Sequence, residues 1–456
     1  ETDQDPGILK NTTMNNTTRR KFIRNSALAG VGLSYSFSAK SYANILGAND
    51  RVNLAVAGLN SRGNAHLSAA RNLKSKAQIV GLCDVDNRVF EKVFEKYGDY
   101  VDRNVAIYED VRDVLNDKNV DALTIATPDH WHAPMAIMAM QSGKHVFLEK
   151  PCCHNPREGE LLAEAQKQTG MKLQIGNQQR SSITSNKIIE EIRKGVIGKP
   201  MYAKAWYANT RGGIGVGKET EVPNWLNWEL WQGPAPRRAY KDNIVHYNWH
   251  WFWNWGTGEI NNNGLHELDV CRWALGVDIP THVASSGGRY FFEDDWEFYD
   301  TQVTSFQFDD GKMITWEGRS CNGFPFNNRG RGSSIHGDRG TIIMDRGGFE
   351  VYDKAGEMTK WEKEPGSNAT ASQDTLGIGG LDNLHMLNFI QAIQQDVALK
   401  SPIEEGVKST LLCHLGNMSQ KTGRELKIDT NTGKPEDKEA MKLWSRSYQE
   451  GWEPKV

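Results

Sequence analysis

The chain has little of several features that mark common protein classes. Its 456 residues include 6 cysteines and no Cys-x-x-Cys pair, so the sequence predicts neither a disulfide framework nor a structural zinc site, and no metal is expected. With 54 basic and 57 acidic residues the net charge is −3, which argues against nucleic acid or an anionic membrane surface as a partner. No apolar run reaches the roughly 18 to 20 residues that span a bilayer.

The basic segment at residues 18–24, Thr-Arg-Arg-Lys-Phe-Ile-Arg, is typical of a twin-arginine export leader. A weakly apolar stretch at 27–33 follows, and small residues at 41–43 suit a signal peptidase. The twin-arginine translocase exports folded proteins. We therefore expect a periplasmic or otherwise exported protein, with Met14 as initiator and residues 1–49 as upstream sequence and signal peptide. The alternative is a cytosolic protein with a chance Arg-Arg pair.

The first regular pattern after this segment is typical of a dinucleotide-binding turn. An apolar run stops at Gly58, and a helix follows the turn that ends at Gly63. The spacing Gly-x-Asn-x-x-Gly departs from the usual glycine fingerprint at Asn60, a residue type that tolerates a left-handed backbone. The helix N-terminus would offer free N–H groups to a pyrophosphate. The predicted cofactor contacts in this turn are Gly58, Asn60, Ser61, Arg62 and Gly63.

A second apolar strand, at 78–83, ends at Asp84. An acidic residue at this position accepts hydrogen bonds from the ribose hydroxyls of NAD and repels the 2′-phosphate of NADP. NAD is therefore the expected cofactor, while Arg62 and Arg88 keep NADP open as an alternative. Because an export compartment supplies no free dinucleotide, we expect the cofactor to be bound tightly and regenerated on the protein.

Strands and helices alternate up to about residue 178, which predicts an α/β Rossmann domain at 50–178 with a doubly wound parallel sheet. Ligands of such sheets bind outside the carboxyl ends of the strands. Three further strands are each followed by polar residues that would lie at this edge. The cofactor contacts predicted there are Thr127, Pro128, His132, Glu149, Lys150 and Asn177.

Beyond residue 178 the pattern changes to strand-like runs separated by turn residues. The runs predict a large, open, mainly antiparallel sheet; they lie at 201–207, 282–292, 301–308, 312–318, 341–345 and 349–352. With helices predicted at 262–275, 383–395 and 404–421, residues 179–456 would form a C-terminal α+β domain for substrate binding and oligomerisation. Residues 209–260 form a long, aromatic-rich insertion, and loops of that length are usually functional.

Short motifs in both halves carry a resemblance to a known family. They are Ala-Thr-Pro at 126–128, Glu-Lys-Pro at 149–151, Gly-x-Gly at 256–258 and Asn-x-Gly-x-His at 262–266. Together they resemble the family of glucose–fructose oxidoreductase, inositol dehydrogenase and MocA over about residues 50–430. The resemblance implies an N-terminal Rossmann domain and a C-terminal α+β domain that often builds homo-dimers or homo-tetramers. It also implies hydride transfer between a nicotinamide and a sugar or polyol carbon.

Oxidation of a secondary alcohol needs a base for the hydroxyl proton and a group that stabilises the developing alkoxide. Lys150 is predicted to hydrogen-bond the reacting hydroxyl, and the alternative is a solvated surface lysine. His266 is predicted to accept the proton, since the ordinary pKa of histidine lies at about 6.5. The alternative for His266 is a structural histidine.

The last motif departs from the family at Asn262, where the resemblance implies an aspartate. An amide cannot act as a base. Either Asn262 only positions a hydroxyl, or His266 alone titrates in a modified mechanism. Asp269 follows His266 by one helical turn, so either it orients the imidazole or it braces the helix.

Seven tryptophans stand between residues 225 and 255, interleaved with histidine, tyrosine and phenylalanine. Sugar rings present apolar C–H faces that stack on indole, while histidine and asparagine bind the hydroxyls. The substrate contacts predicted across the chain are Lys150, Trp249, His250, Trp251, Trp253, Asn262, His266 and Asp269. Packing in the core or in an oligomer interface is the competing explanation for the tryptophans.

These observations leave three candidate functions. The first is an exported NAD(P)-dependent oxidoreductase that acts on a sugar or polyol with a captive cofactor. The second is an NAD-dependent glycoside hydrolase, in which transient oxidation of a ring hydroxyl acidifies a neighbouring C–H, elimination breaks the glycosidic bond, and re-reduction restores the cofactor. The third is a non-catalytic sugar-binding protein on a dehydrogenase scaffold, which the loss of Lys150 or His266 would favour; both are present.

Overall fold

A computed structural model describes residues 51–366, 373–374, 377 and 379–456. The twin-arginine leader predicted within residues 1–49 lies outside the described residues. No helix in the described part of the chain combines the length and apolar character needed to cross a bilayer.

The first sheet consists of six parallel strands. They are β1 (Val52–Ala57), β2 (Ala77–Cys83), β3 (Ala106–Tyr108), β4 (Ala122–Ile125), β5 (His145–Leu148) and β6 (Leu173–Ile175). The intervening helices are α1 (Gly63–Asn72), α2 (Val89–Tyr97), α3 (Val111–Asn116), α4 (Asp129–Gln141) and α5 (Pro156–Thr169). The strand order β3-β2-β1-β4-β5-β6 is that of a doubly wound Rossmann sheet, so the predicted fold of this half is confirmed.

The carboxyl end of β1 is where a ligand crevice forms. β1 pairs with β2 on one side and with β4 on the other, so the chain leaves the sheet in opposite directions and the crevice opens between the two connections. Gly58 stands at this point with φ of +85°. A Cβ atom there would lie 2.5 Å from the carbonyl oxygen of Ala126, so only glycine allows the turn to pass this close to β4.

The second sheet has nine strands in the order β14-β13-β12-β11-β7-β10-β9-β8-β15. They are β7 (Pro200–Ala208), β8 (His282–Gly288), β9 (Thr301–Gln307), β10 (Met313–Arg319), β11 (Arg331–Gly337), β12 (Gly340–Asp345), β13 (Gly348–Asp353), β14 (Met358–Lys363) and β15 (Leu426–Lys427). β7 and β10 are parallel and the other neighbours are antiparallel. The predicted large, mainly antiparallel sheet is confirmed.

Three helices cover one face of this sheet: α6 (Ile183–Arg193), α8 (Leu265–Leu275) and α10 (Ile403–Thr422), with α11 (Lys438–Met441) packed on α10. Two further helices lie elsewhere: α7 (Trp228–Gln232) belongs to the insertion, and α9 (Leu381–Gln395) packs against α1. Leu268 of α8 and Leu412 of α10 share one fully buried cluster with Phe306 and Trp316 of the sheet. Residues along β9, β10 and β12 alternate between buried and more accessible, which leaves the other face of the sheet open to solvent.

The insertion at 209–260 contains little regular structure beyond α7, a 3₁₀ turn at Asn248–Trp251 and the start of a π turn at Ile260–Gly264. It has a hydrophobic cluster of its own, in which the rings of Trp228 and Trp231 stack at 4.7 Å between centroids. Backbone hydrogen bonds from Asn87 to Trp225 (3.0 Å) and from Asn227 to Val85 (2.9 Å) dock it beside the carboxyl end of β2. The insertion therefore forms one wall of the crevice.

Candidate active site

A cavity of about 310 Å³ opens at the carboxyl ends of β1, β2, β4 and β5. The glycine turn, the strand ends, the insertion and the π turn all contribute to its walls. The predicted site residues that line it are Gly58, Asn60, Ser61, Arg62, Asp84, Thr127, Pro128, His132, Glu149, Lys150, Trp249, His250, Asn262 and His266. Five other predicted residues do not line it: Gly63, Asn177, Trp251, Trp253 and Asp269.

Asp84 organises the end of the cavity next to the glycine turn. Its Oδ2 accepts a hydrogen bond from the backbone N–H of Leu59 at 2.7 Å, and its Oδ1 accepts one from Asp86 at 3.0 Å. Burial raises the pKa of Asp84, against the effect of these two bonds. The carboxylate keeps further lone pairs that ribose hydroxyls can use.

The start of α1 faces the same end of the cavity. No side chain caps this helix. The N–H groups of Asn64 and Ala65 donate to the carbonyl oxygens of Ser61 (3.0 Å) and Arg62 (2.9 Å), and the positive end of the helix dipole faces the site where an anion would bind. Gly63 has a packing role instead, since a Cβ there would lie 1.9 Å from the carbonyl oxygen of Gly58. This close contact places the start of α1 directly against the glycine turn.

An ion-pair network closes the middle of the cavity around Glu149. Arg62 donates from Nε to Glu149 Oε1 at 2.8 Å and from Nη1 to Asp382 Oδ2 at 3.1 Å. The same Glu149 oxygen lies 3.0 Å from His66 Nε2 and accepts from Gln178 Nε2 at 3.0 Å. Burial alone would raise the pKa of Glu149, but the Arg62 charge and the His66 contact hold it well below its ordinary value. Glu149 is therefore an ionised anchor that positions the following residue.

That following residue, Lys150, points into the cavity. Its ammonium donates to the backbone carbonyl of Asn262. Burial lowers the pKa of Lys150, and the charges of Glu149 and Asp129 only partly oppose this. The Lys150 side chain thus lies in the cavity and is held in one direction. It is not the solvated surface lysine of the alternative interpretation.

His132 ties together the two strand ends beside Lys150. Its Nε2 lies 2.8 Å from the carbonyl oxygen of Thr127, and its Nδ1 lies 2.6 Å from that of Pro151. These contacts join the end of β4 to the turn after β5. The hydroxyl oxygen of Thr127 is buried and has no hydrogen-bond partner among the described residues.

His266 lies on the first turn of α8 with its side chain 6% exposed. Burial lowers its pKa well below the ordinary value, and the nearby charges of Lys150 and Arg331 lower it further. The imidazole is therefore neutral near pH 7 and can accept a proton. No described residue makes a hydrogen bond to its ring, which leaves both nitrogens for a ligand.

Asn262 stands on the π turn with a carboxylate directly behind it. Its Nδ2 lies 3.5 Å from both the hydroxyl of Tyr247 and Oε1 of Glu259. Glu259 is held in turn by Ser320 Oγ at 2.9 Å and Arg211 Nη2 at 3.3 Å. The carboxylate that the family motif places at 262 is thus present three residues earlier. Sequence reasoning missed Glu259, although the spacing of one helical turn was a usable signal.

Asp269, predicted to contact the substrate, does not line the cavity. Asp269 accepts from Arg180 Nε at 2.8 Å and from Ser409 Oγ at 2.5 Å. It is fully buried on the side of α8 that faces α10, so it braces the helix and does not orient the imidazole of His266. Burial favours protonation, but the Arg180 charge outweighs it and lowers the pKa of Asp269.

The aromatic wall of the cavity comes from Trp249 and its neighbours. The ring of Trp249 stacks on His250 at 3.6 Å between centroids. His250 Nδ1 lies 2.6 Å from the carbonyl oxygen of Tyr247, and a carbonyl only accepts, so Nδ1 carries the proton and Nε2 is left as an acceptor. Burial lowers the pKa of His250 to about 3, which keeps this acceptor neutral.

The next two tryptophans along the chain do not reach this cavity. Trp251 is fully buried and stacks on Trp296 at 4.0 Å, and Trp253 packs on Phe298 at 4.0 Å. Neither of these two predicted substrate contacts lines the cavity, and both rings pack against other aromatic side chains. Trp251, Trp253 and Trp255 alternate along the sequence as they would on one face of a strand, but a 3₁₀ turn at Asn248–Trp251 and irregular backbone stand there.

Arg331 is a cavity residue that sequence reasoning missed altogether. It lies on β11, donates from Nε to Glu267 Oε1 at 2.7 Å and is 2% exposed. β11 itself was not predicted, because its sequence Arg-Gly-Ser-Ser-Ile-His-Gly has few strand-forming residues. No local signal marked this strand, which pairs with β7 and β12 through long-range contacts.

The structure also bears on the choice between the two nicotinamide dinucleotides. Arg88 donates from Nη2 to Asp86 Oδ2 at 2.7 Å, and its guanidinium lies 3.3 Å above the ring of Trp225. The other candidate for a 2′-phosphate, Arg62, is held by Glu149. Both cations are thus engaged, while the Asp84 carboxylate stays at the ribose position.

Unpartnered polar atoms show that the site fits a dinucleotide. Asn177 is 2% exposed at the end of β6, and neither its Oδ1 nor its Nδ2 has a hydrogen-bond partner among the described residues. Asn177 follows the last residue of β6 by two positions and does not line the main cavity. Within the cavity, the Thr127 hydroxyl and the start of α1 offer hydrogen bonds that a nicotinamide ribose and a pyrophosphate require.

Two family models match the chain. Residues 52–177 match a model described as an oxidoreductase family with an NAD-binding Rossmann fold. Residues 189–428 match one described as the C-terminal alpha/beta domain of an oxidoreductase family. The predictions of the family and of an NAD-binding Rossmann fold are thereby confirmed.

Characterised relatives match over part of their length. The scyllo-inositol 2-dehydrogenase (NAD(+)) of Bacillus subtilis (strain 168) is 28% identical over 206 residues, which cover 44% of this chain and 49% of that protein. A glycosyl hydrolase family 109 protein of Shewanella baltica (strain OS195) is 25% identical over 217 residues, which cover 42% and 46%. The chain therefore spans about half the length of the curated relatives it matches.

A solved structure confirms the fold. The WlbA dehydrogenase of Bordetella pertussis, in complex with NADH and UDP-GlcNAcA, superimposes with a TM-score of 0.62 at 20% identity. The match covers 83% of this chain and 99% of that one.

Proposed function

Because the chain belongs to the oxidoreductase family whose two models it matches, we propose that it transfers hydride between NAD and a secondary hydroxyl or carbonyl carbon of a sugar or polyol. One observation carries the proposal. Lys150 and the neutral His266 converge in one cavity with the glycine turn and Asp84. A proton acceptor and an oxygen-binding cation thus stand beside the nucleotide site.

NAD would be held by this chain's own groups along the crevice. The glycine turn and the start of α1 would bind the pyrophosphate, Asp84 the adenosine ribose, and Thr127 the nicotinamide half. When bound, the cofactor supplies the hydride acceptor or donor.

The remaining work of alcohol oxidation falls to side chains around the substrate. His266 accepts the hydroxyl proton, since burial keeps its imidazole neutral. Lys150 hydrogen-bonds the same oxygen and stabilises the developing negative charge. Asn262, held by Tyr247 and Glu259, positions a neighbouring hydroxyl.

The walls of the cavity support a carbohydrate as substrate. Trp249 provides an aromatic face, and His250 Nε2 provides a neutral acceptor in the same wall. Such a mixture of indole surface and fixed polar groups suits the apolar faces and hydroxyls of a sugar. The Bacillus subtilis relative, named for inositol oxidation with NAD(+), agrees with this class.

The proposal includes export with a captive cofactor. It is supported by the twin-arginine pattern at residues 18–24, and by the clasp in which Arg62 joins the glycine turn to Glu149 and Asp382. A homo-oligomer, formed through the open face of the nine-stranded sheet, is part of the same proposal.

A second candidate is an NAD-dependent glycoside hydrolase. Asn262 in place of the family's aspartate and the Shewanella baltica relative named as a glycosyl hydrolase both favour it. The two candidates differ in their net reaction, since a dehydrogenase changes the redox state of the sugar and the hydrolase does not. A non-catalytic sugar-binding protein is less well supported, because both Lys150 and His266 line the cavity.

Mass spectrometry of the denatured protein, purified from its export compartment, tests the proposal. We expect stoichiometric NAD or NADH. Incubation with a panel of sugars, polyols and glycosides should then change the redox state of the bound nicotinamide, and the products distinguish oxidation from cleavage. His266→Gln should keep the dinucleotide and lose the reaction. A protein that carries no dinucleotide and does not bind added NAD would contradict both enzymatic candidates.

A further inference from the structure

A second cavity, of about 460 Å³, lies outside the candidate active site and shares no lining residue with it. Four parts of the chain enclose it: the start of α5, the last turns of α10, the insertion and residues 443–446. Asn417 of α10 donates from Nδ2 to the carbonyl of Thr257 at 2.7 Å, and Thr257 Oγ1 donates to Asp129, which lines the first cavity. The two cavities are therefore neighbours separated by one layer of backbone.

Asn417 gives this cavity an unused hydrogen-bond acceptor. The residue is 3% exposed, and its Oδ1 has no partner among the described residues. A buried polar atom that is left without a hydrogen-bond partner destabilises the fold. Such an atom in the wall of a cavity points to a ligand that supplies the missing donor.

The lining of this cavity also includes an indole ring and an ammonium group close to it. Trp253 packs on Phe298, and its Nε1 also has no partner among the described residues. The ammonium of Lys421 lies 5.1 Å from the centre of the Trp253 ring. No carboxylate of the described residues pairs with Lys421.

The other charged groups of the cavity are paired. Arg446 Nη2 lies 2.7 Å from Glu158 Oε1, and Arg238 Nη1 lies 3.8 Å from Glu297 Oε1. Burial lowers the pKa of His414 to about 4, so this ring is neutral near pH 7. Lys421 is therefore the one charged side chain of this lining that has no oppositely charged partner among the described residues.

We propose that this second cavity binds an acidic sugar, with the ring on Trp253, a hydroxyl on Asn417 Oδ1 and the carboxylate on Lys421. An indole face beside fixed donors and acceptors is the usual arrangement for a carbohydrate, and the volume lies in the range of ligand pockets. Lys421, the one cation of the lining without a carboxylate partner among the described residues, selects a carboxylate over a neutral sugar. This site is independent of the reaction proposed for the first cavity.

Methyl-labelled methionine NMR of the NAD-loaded full chain separates the two cavities, because Met418 lines the second and Met135 lines the first. D-glucuronate and D-glucose are the probes. We expect glucuronate to shift the Met418 methyl signal saturably, with at least tenfold higher affinity than glucose.

Two variants complete the test. Lys421→Gln, at an exposed position, should weaken glucuronate binding at Met418 about tenfold and leave glucose binding and thermal stability unchanged. Trp253→Leu should weaken both probes, with folding checked by the Met135 signal. The proposal is overturned if Met418 does not respond to glucuronate, if only Met135 responds, if glucose binds as tightly, or if Lys421→Gln binds glucuronate like the unmodified chain.

Discussion

The nucleotide end and the substrate end of the candidate active site are built in different ways. The nucleotide end sits on regular elements: strands β1, β2 and β4 stop at one edge, and α1 starts beside them. The substrate end is built from the insertion and the π turn, where irregular backbone is held by an aromatic cluster and by the Arg211–Glu259 pair.

This difference shows two ways of positioning a polar side chain. In the first, parallel strands bring their ends together whatever the sequence between them, so polar residues after β1, β2, β4 and β5 reach the crevice. In the second, each side chain depends on its own long-range contacts. Lys150 belongs to both ends, since it follows β5 and donates to Asn262 of the π turn.

The largest effect is expected where the two ends meet. Lys150→Met should lower turnover by about 10³-fold, because the group that binds the substrate oxygen is lost. NAD binding should change less than about threefold, since the glycine turn and Asp84 stay in place. Single-turnover kinetics and NAD titration measure the two separately.

Lys172→Met is the matched control for this variant, because Lys172 lies at the opposite end of the same sheet and pairs with Asp396. It should leave turnover unchanged. If Lys150→Met kept its turnover and lost NAD affinity instead, Lys150 would belong to the nucleotide end alone.

The stability of the elements that hold the nucleotide end should depend on pH through His385. Its ring lies 2.8 Å from the carbonyl of Ile175 and 2.7 Å from Ser181 Oγ, and burial lowers its pKa to about 4. In the unfolded chain the pKa would be about 6.5, so below that value the unfolded state binds more protons. The free energy of unfolding should therefore fall as the pH drops from about 6.5 to 4, by an amount of order 3 kcal/mol.

Urea unfolding of the unmodified chain and of His385→Gln at pH 7 and pH 4.5 measures this contribution. Other buried histidines titrate in both proteins, so the difference between their pH slopes is the relevant quantity. Equal slopes would show that His385 does not titrate in this window.

A smaller change is expected at the ribose position. Asp84→Asn removes the negative charge but keeps one oxygen to accept from the backbone. The ratio of NADP to NAD affinity should rise at least tenfold, which corresponds to about 1.4 kcal/mol. Titration with both dinucleotides tests this, and the KM for substrate should not change. An unaltered ratio would mean that another group rejects the 2′-phosphate.

The smallest effects should separate two tryptophans of the insertion. Trp249→Phe should raise the KM for substrate about threefold to fivefold, because a smaller ring offers less stacking surface. Trp251→Phe, whose ring stacks on Trp296 outside the cavity, should leave KM unchanged and lower only the melting temperature. If Trp251→Phe raised KM and Trp249→Phe did not, the substrate would contact Trp251 and not Trp249.

Sequence patterns predicted the nucleotide end well because its residues follow local rules. The glycine turn, Asp84 and the strand-end residues from Thr127 to Lys150 were each identified by the element they follow, and they line one cavity. The substrate end was predicted less well. Trp251, Trp253 and Trp255 alternate along the sequence as they would on one face of a strand, but the backbone there is not a strand.

The sequence by itself determined the doubly wound sheet and the class of cofactor, because apolar periodicity and strand–turn–helix spacing are local properties of the chain. The expectation that Lys150 and His266 share a site came from the resemblance of their motifs to a known family. Only the tertiary structure decided that Asp269 braces α8, that Glu259 stands behind Asn262 and that Arg331 reaches the cavity from β11. Those placements depend on partners 61 to 140 residues away, such as Ser320, Glu267 and Ser409. Local patterns carry no record of such pairings, since they form only when the sheet and helices pack.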